Sequence, residues 1–309
     1  MPRNLHVLRQ VGLRAALAAL SAVGIVVVLH AMLRAAPGNA ADLLATTPAM
    51  RAQLSAAWGL DASLPVAVWR TLGGHLGESL VLRPGMPVTT IIVQRGFTSL
   101  PLLLAATALG PVLAYILGTR SRPRWMLGLG LSSLPAFLLA FITLTSINEL
   151  TFGAMTAGWL DRPSWFSLPD TPSMFRNALA VSILTVSGGR LTSHAATVRA
   201  TAEGIDRSPA MDALRARAQP TAAARWAGVL PVLISIPGQS IAATLGALVV
   251  VEKVFLLPGA GAAFWDAVVQ RDLTVALGLG MVAGLVAVGL RLVADLGQVW
   301  ADPRRRGLP

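Results

Sequence analysis

Few side chains in this sequence could act as nucleophiles, bases or metal ligands. Cysteine is absent, and Ser193 and His194 are neighbours, so on a helix they point in different directions and cannot form a nucleophile–base pair. No Gly-x-x-x-x-Gly-Lys phosphate loop occurs, and Lys253 is the sole lysine. The four histidines have no spacing typical of a metal site: His6, His30, His75 and His194. We therefore expect no catalytic residue, no cofactor and no metal site.

The composition indicates what the chain is instead. It has 309 residues, of which 54% are hydrophobic and only 13% charged, with a mean hydropathy of +0.66. A soluble domain of this length is more polar, so we interpret the chain as a multi-span membrane protein. The net charge of +11 could suggest a nucleic-acid partner, but its distribution favours a membrane topology and no nucleic acid.

Spanning a bilayer takes roughly 20 apolar residues in a helix. Because most arginines lie between alternate spans, the positive-inside rule places those segments and both termini in the cytoplasm. The basic N-terminus resembles a signal peptide but lacks a cleavage site, so we interpret it as a retained first span. The six predicted spans are 12–33, 97–119, 125–147, 175–197, 227–251 and 273–296.

Two domains follow from this topology. Residues 1–96 hold the first span and a long outer loop, and residues 97–306 hold a five-helix core with a cytoplasmic loop at about 198–225. Helical spacing in the outer loop predicts short helices within Ala41–Trp58 and Pro65–Leu76. That loop is either a solvated cap over the spans, or a lid or docking surface for an external partner.

One polar stretch interrupts the apolar sequence, and we call it the Arg-rich segment (Val198–Arg225). It is too charged to lie in hydrocarbon, and Ala210–Ala218 has the propensity to form a short helix at the membrane surface. Its small alanines would let another surface approach closely, while four arginines could meet acidic groups of a partner: Arg207, Arg215, Arg217 and Arg225. The alternative is an ordinary basic loop that only sets topology.

Two other stretches could line or gate a path. Ser133, Pro135 and Phe137 lie in the third predicted span, where a proline kinks the helix and a serine can satisfy the freed carbonyl; a purely structural bend is the alternative. Between the last two spans, Pro-Gly-x-Gly predicts a tight turn whose glycines adopt conformations closed to other residues. Glu252, before that turn, must be paired or hydrated. This second stretch contributes Glu252, Phe255, Pro258, Gly259 and Gly261.

Several motifs in order along the chain carry a resemblance. They include Pro37-Gly38, Gly59-Leu60-Asp61, Leu76-Gly77-Glu78-Ser79, Ser133-x-Pro135-x-Phe137, Glu252-x-x-Phe255-x-x-Pro258-Gly259-x-Gly261, Arg271-Asp272 and Asp302-Pro303-Arg304. Over nearly its whole length the chain resembles the inner-membrane permease subunit of binding-protein-dependent ABC transporters, of the oligopeptide, dipeptide and nickel class. The resemblance implies a type I importer fold in the inner membrane of a bacterium.

The resemblance also implies partners and a coupling site. The family carries a short cytoplasmic helix that fits a groove of an ATPase subunit, and Met211–Pro220 aligns with it without gaps, although its acid, Asp212, comes one place late and Pro220 replaces a glycine. The implied partners are two ATPase subunits, a second homologous permease, an extracytoplasmic substrate-binding protein and the lipid bilayer. The coupling residues are Asp212, Ala213, Ala216, Arg217, Ala218 and Pro220.

The substrate follows from the class alone. Peptides or related small solutes are the first expectation, and nickel or metal-chelate uptake by the same architecture is the alternative. Few ionisable groups lie in the predicted spans, so we expect a largely apolar, hydroxyl-lined passage. Less favoured alternatives are an ion-driven carrier or channel and a membrane-embedded enzyme.

Overall fold

The computed structural model describes residues 3–35, 45–57, 62–119, 132–158 and 173–301. Within these ranges the secondary structure consists of eleven helices and no strand. This confirms the all-α class. In chain order the helices are α1 (Arg3–Ala35), α2 (Pro48–Ala57), α3 (Leu64–Leu72), α4 (Val88–Thr119), α5 (Ala136–Thr156), α6 (Ser173–Val186), α7 (Arg190–Asp206), α8 (Pro209–Ala216), α9 (Ala222–Val254), α10 (Ala260–Val269) and α11 (Leu273–Ala301).

Five of these helices are long and apolar enough to cross a membrane: α1, α4, α5, α9 and α11. The spans predicted at 12–33, 97–119, 227–251 and 273–296 lie within α1, α4, α9 and α11 and are confirmed as helices. The chain is therefore a multi-pass, all-α membrane protein. The total of six spans and the cytoplasmic position of both termini stay predictions.

The third predicted span, 125–147, is shifted along the chain. Residues 125–131 lie outside the described residues, and α5 begins at Ala136. The helix then continues to Thr156, nine residues beyond the predicted end. Glu149, which the sequence interpretation left outside the span, consequently lies inside it.

The fourth predicted span, 175–197, is wrong as one continuous helix. Helix α6 ends at Val186 and α7 begins at Arg190, with Gly188 and Gly189 between them, both at φ 69°. Glycine adopts this left-handed conformation without steric cost, so the pair can break the helix. Arg190 stabilises the break by donating to the carbonyls of Leu184 and Ser187 at 2.9 and 3.0 Å.

The short helices of the predicted outer loop are present. Helix α2 lies within the predicted Ala41–Trp58, and α3 covers most of Pro65–Leu76. Three of the quoted motifs lie outside the described residues: Pro37-Gly38, Gly59-Leu60-Asp61 and Asp302-Pro303-Arg304.

The described residues divide into two compact units. The first contains residues 100–257 together with 1–15 and 289–309. Gly118 permits a close approach in this unit, because an added Cβ would lie 2.7 Å from the Ala195 carbonyl oxygen. One of its apolar clusters joins α4, α5, α6 and α9 through Leu102, Ala140, Leu184, Val251 and Phe255, and the other joins α4, α7 and α9 through Ala114, Leu191, Val198, Val229 and Leu233.

The second unit contains residues 16–99 and 258–288. Its boundary at Ser99 lies near the predicted division at residue 96, but residues 258–288 also belong to it. Within this unit the start of α4 packs on α10 and the start of α11. The apolar cluster that holds them together contains Val88, Ile91, Ala263, Ala267, Val275 and Leu279.

Candidate functional site

The Arg-rich segment contains the short helix that the sequence predicts. Ser208 caps α8 by accepting from the Met211 N–H at 3.4 Å, and Pro209 occupies the first helical position. Proline suits that position because the N–H it lacks would have no partner there, and Asp212 in the first turn is favourable for the helix dipole. The predicted helix over Ala210–Ala218 is therefore confirmed within two residues at each end.

Helix α8 has one face held to the protein and one face open. Met211 is only 2% exposed and holds the helix down, with Leu214 half-buried one turn later. Ala213 and Ala216 are exposed on the opposite side. With a methyl group as the largest projection there, the backbone of α8 can be approached closely by another surface.

The end of α8 shows how the chain leaves the helix at Ala218 and Pro220. Ala218 takes φ 52°, its N–H donates to the Arg215 carbonyl, and the Gln219 N–H reaches the Leu214 carbonyl, both at 3.0 Å. This pattern closes a helix and is usually built on glycine. Pro220 follows at an exposed position, where it prevents the helix from continuing.

Most charges of the Arg-rich segment are paired within the chain. Glu203 lies 3.0 Å from Arg199 and 3.7 Å from Arg207, atom to atom. Arg215 and Arg225, expected to meet acids of a partner, instead pair with Asp212 at 2.9 Å and Asp206 at 3.3 Å.

Arg217 differs from these arginines. It is exposed and has no ion pair within the part of the chain that the structure describes. It lies beside the open alanine face, at the C-terminal end of α8 where a cation is favourable. Arg217 is thus the arginine of this segment left available to an outside carboxylate.

The prediction of a proline kink inside the third span is wrong. Pro135 is the N-cap of α5, so it precedes the helix and breaks none of its hydrogen bonds. The carbonyls of Ser132 and Leu134 accept from Gly189 and Gly188 at 2.6 and 2.9 Å, which attaches this entry to the α6–α7 break. Of the three predicted path residues here, Ser133, Pro135 and Phe137, all are exposed.

Glu252 and Phe255 lie in the first unit and are both 0% exposed. Leu256 takes φ 51° just after α9, and Arg176 donates to the carbonyls of Phe255 and Leu256 at 3.3 and 3.1 Å. These residues therefore belong to a packed helix end in this conformation, and a gating role for them stays a prediction.

The remaining predicted path residues lie in the second unit. Pro258 is exposed, whereas Gly259 and Gly261 are buried. Gly259 has φ −95° and Gly261 lies inside α10, so the expectation of conformations closed to other residues is wrong. The Gly259 position leads straight into α10, whose Ala260 N–H donates to Ser99 Oγ at 2.6 Å.

A buried carboxylate in the second unit was missed from the sequence. Asp272 Oδ2 accepts from Ser79 Oγ at 2.6 Å and from the N–H groups of Leu80, Val81 and Leu82 at 3.0–3.1 Å. Its Oδ1 accepts from Thr274 Oγ1 at 2.8 Å. We call this arrangement the Asp272 clasp. Two of the quoted motifs, Glu78-Ser79 and Arg271-Asp272, meet here, and their co-occurrence was the available signal.

The clasp keeps Asp272 ionised. Burial on its own would raise the pKa of this carboxyl, but the hydrogen bonds from Ser79, from the Leu82 and Val81 N–H groups and from Thr274 favour the charged form, and the net effect holds the pKa below its usual value. No group of three or more His, Cys, Asp or Glu side chains that could hold a metal ion occurs among the described residues.

Comparison with known proteins adds to these observations. A peptide permease protein of Brucella ovis is 30% identical, with 90% of this chain and 92% of that protein covered. The oligopeptide transport system permease protein of Bacillus subtilis is 27% identical over 91% of this chain and 94% of its own length. The dipeptide transport system permease protein of Lactococcus lactis is 26% identical with the same coverage. No family model matches the chain.

Proposed function

The chain belongs to the family of permease proteins of peptide transport systems, and from that premise we propose that it is one of two permease subunits of an ATP-driven importer. In this proposal it forms half of the passage for peptides or related small solutes across the cytoplasmic membrane of a bacterium. The observation that carries the proposal is the open alanine face of α8, held to the protein by Met211.

Import against a gradient needs an energy source outside this chain. The sequence has no phosphate-binding loop, so ATP hydrolysis belongs to two separate ATPase subunits. A groove on each ATPase receives one α8, from this chain or from its sister permease. An extracytoplasmic binding protein delivers the substrate and makes most of the selection.

Force enters through α8 and passes along contacts that the structure describes. Helix α8 follows α7 directly, and α7 packs on α9 in the cluster of Val198, Ala202 and Val229. Displacing α8 therefore moves α7 and the long helix α9, which is how the motor drives alternating access. Arg217 meets an acidic group at the rim of the groove, where charge complementarity orients the docked helix.

Replacement of Ala216 by Glu tests the docking of α8. The longer, charged side chain fills the space that the partner needs and loses hydration there, so ATP-dependent uptake of a peptide should fall at least tenfold in proteoliposomes that contain the whole complex. Membrane insertion should be unchanged, because position 216 is exposed.

Ala223→Glu is the matched control. Ala223 is also exposed, and a carboxylate in the first turn of α9 is favourable for the helix dipole. Normal uptake by this variant would show that a new charge in the segment is harmless by itself. Wild-type uptake rates in Ala216→Glu would contradict the proposal, as would purification of a wild-type chain that never associates with ATPase subunits.

A further inference from the structure

Helix α5 has one packed face and one face that carries unexpected polarity. Ala140 and Thr151 are buried, and Ala140 packs in the cluster with α6 and α9. On another side, Phe141, Thr145 and Glu149 recur every four residues, which places them above one another. Asn148 and Phe152 lie on the same side, at three and seven residues from Thr145. All five are exposed, and we call them the polar–aromatic stripe: Phe141, Thr145, Asn148, Glu149 and Phe152.

The position of Glu149 argues against a lipid-facing stripe. Glu149 is seven residues before the end of α5 at Thr156, about 10 Å along a helix that rises 1.5 Å per residue. A carboxylate at such a position in a spanning helix is costly against hydrocarbon, and such groups face a water-filled cavity or a partner of opposite charge. Within the described part of the chain Glu149 has neither an ion pair nor a hydrogen bond.

The neighbours of Glu149 favour a cation as its ligand. The Thr145 hydroxyl donates to the Phe141 carbonyl at 2.7 Å. The lone pairs of the hydroxyl oxygen are therefore available to accept from a ligand. Asn148 adds an amide oxygen, and Phe141 and Phe152 add aromatic faces, which attract cations. Carboxylate, neutral oxygens and aromatic rings together are the chemistry that recognises an ammonium group.

We propose that the polar–aromatic stripe lines the passage and binds an ammonium group of the transported peptide, with Glu149 as the counter-charge. This rests on the proposed function and makes it more specific, since it assigns a place in the passage to one charged group of the substrate. Phe137, already predicted as a path residue, lies one turn before Phe141 and is also exposed. The ammonium comes from the free N-terminus or from a basic side chain.

Uptake measurements separate the two sources of the ammonium group. The whole complex in proteoliposomes is given an apolar tripeptide, its N-acetylated form and an N-acetylated tripeptide that contains lysine. In Glu149→Gln the KM for ammonium-bearing peptides should rise about tenfold, as expected for loss of one charge-assisted contact, while uptake of the acetylated apolar peptide is unchanged. Glu149→Asp should recover part of the loss. Ser146→Ala, an exposed change on α5 outside the stripe, should leave every KM unchanged.

A second measurement needs no ATP. Carbodiimide treatment of membranes that contain the complex should activate the Glu149 carboxylate, and the free amine of the tripeptide should displace the urea to form an amide, detected by mass spectrometry. The acetylated apolar peptide has no amine and should give no amide at Glu149. Equal losses of uptake for free and acetylated peptides in Glu149→Gln, or absence of the Glu149 amide, would overturn the proposal that the polar–aromatic stripe binds an ammonium group. Absence of ATP-dependent uptake in the wild type alongside formation of that amide would instead overturn the energy source and retain the binding site.

Discussion

The Arg-rich segment and the Asp272 clasp share two local features but differ in how deeply their aspartates are buried. Each includes or directly follows a short helix closed by a non-glycine residue in the left-handed conformation, Ala218 after α8 and Arg271 after α10. Each also contains an aspartate with hydrogen-bonding partners. Asp212 is exposed and pairs with the exposed Arg215, whereas Asp272 is 0% exposed and its partners are a hydroxyl pair and backbone N–H groups.

The difference in burial makes the Asp272 clasp a fixed structural contact and leaves α8 of the Arg-rich segment as a surface for a partner. Exposed ion pairs contribute little and are exchanged easily for other partners, so Asp212 and Arg215 on α8 can exchange partners when another protein docks. A buried carboxylate with several donors cannot exchange them cheaply, because each donor left without a partner costs free energy. The clasp therefore fixes residues 79–82 to the start of α11, and α8 is the region suited to contact.

Removal of the clasp charge should have the largest effect. Asp272→Asn leaves several of its donors without an acceptor and should reduce the free energy of unfolding of the second unit by about 2–4 kcal/mol. Hydrogen exchange of the amides of residues 80–82 in nanodiscs measures this directly. Glu78→Gln is the control, since it removes an exposed carboxylate beside the clasp. Equal protection of these amides in both variants would mean that the buried carboxylate does not fix this region, and the distinction between the Asp272 clasp and the Arg-rich segment would be lost.

Loss of the buried contact under α8 should come next. Met211→Ala leaves a cavity beneath the helix and should reduce the stability of α8 by about 2–3 kcal/mol, seen as faster exchange of residues 211–219. Met174→Ala, at an exposed methionine, should have no such effect. If the amides of α8 keep their protection from exchange in Met211→Ala, the helix is held by its ion pairs instead of by Met211. Those ion pairs would then be structural and not free to exchange partners.

The stabilisation that the Asp272 clasp provides should be lost in acid and fully present at neutral pH. Because the folded-state pKa of Asp272 is lowered, its contribution is fully present above the unfolded value of about 4 and is lost as the pH falls through the lower folded value. The loss should be smaller than in Asp272→Asn, since the hydroxyl oxygen of a protonated carboxyl still accepts weakly, whereas the amide nitrogen of Asn only donates. Melting temperatures of the wild type and Asp272→Asn at pH 7 and pH 3 check this. The wild type should melt higher by a smaller margin at pH 3 than at pH 7, and an equal margin at both pH values would contradict the prediction.

Local patterns made much of the fold predictable. Long apolar runs identified the helices that became α1, α4, α9 and α11, and the helix propensity of the alanine-rich stretch Ala210–Ala218 identified α8. Charge placement by sequence was less informative, because whether Arg215 and Arg225 meet a partner or a residue of the same chain depends on the fold.

Contacts between distant residues were not predictable from one chain. Ser79 and Asp272 are 193 positions apart, and nothing in their local sequence states that they meet. The Gly188–Gly189 break was missed because the apolar run of α6 was extended across the glycines into the more polar start of α7. Pro135 was misplaced for a related reason, since hydropathy does not show where within a long apolar run a helix starts.

The smallest effect concerns the helix end that Ala218 closes. Ala218→Gly relieves the left-handed conformation of a residue with a Cβ and should stabilise α8 by about 0.5–1 kcal/mol, or two- to fivefold slower exchange of the Gln219 N–H. Ala213→Gly is a control of opposite sign, because glycine inside the helix should destabilise it by a similar amount. Two substitutions to the same residue, five positions apart, should therefore move exchange in opposite directions. Faster exchange in both would mean that α8 is not closed by the left-handed conformation of Ala218.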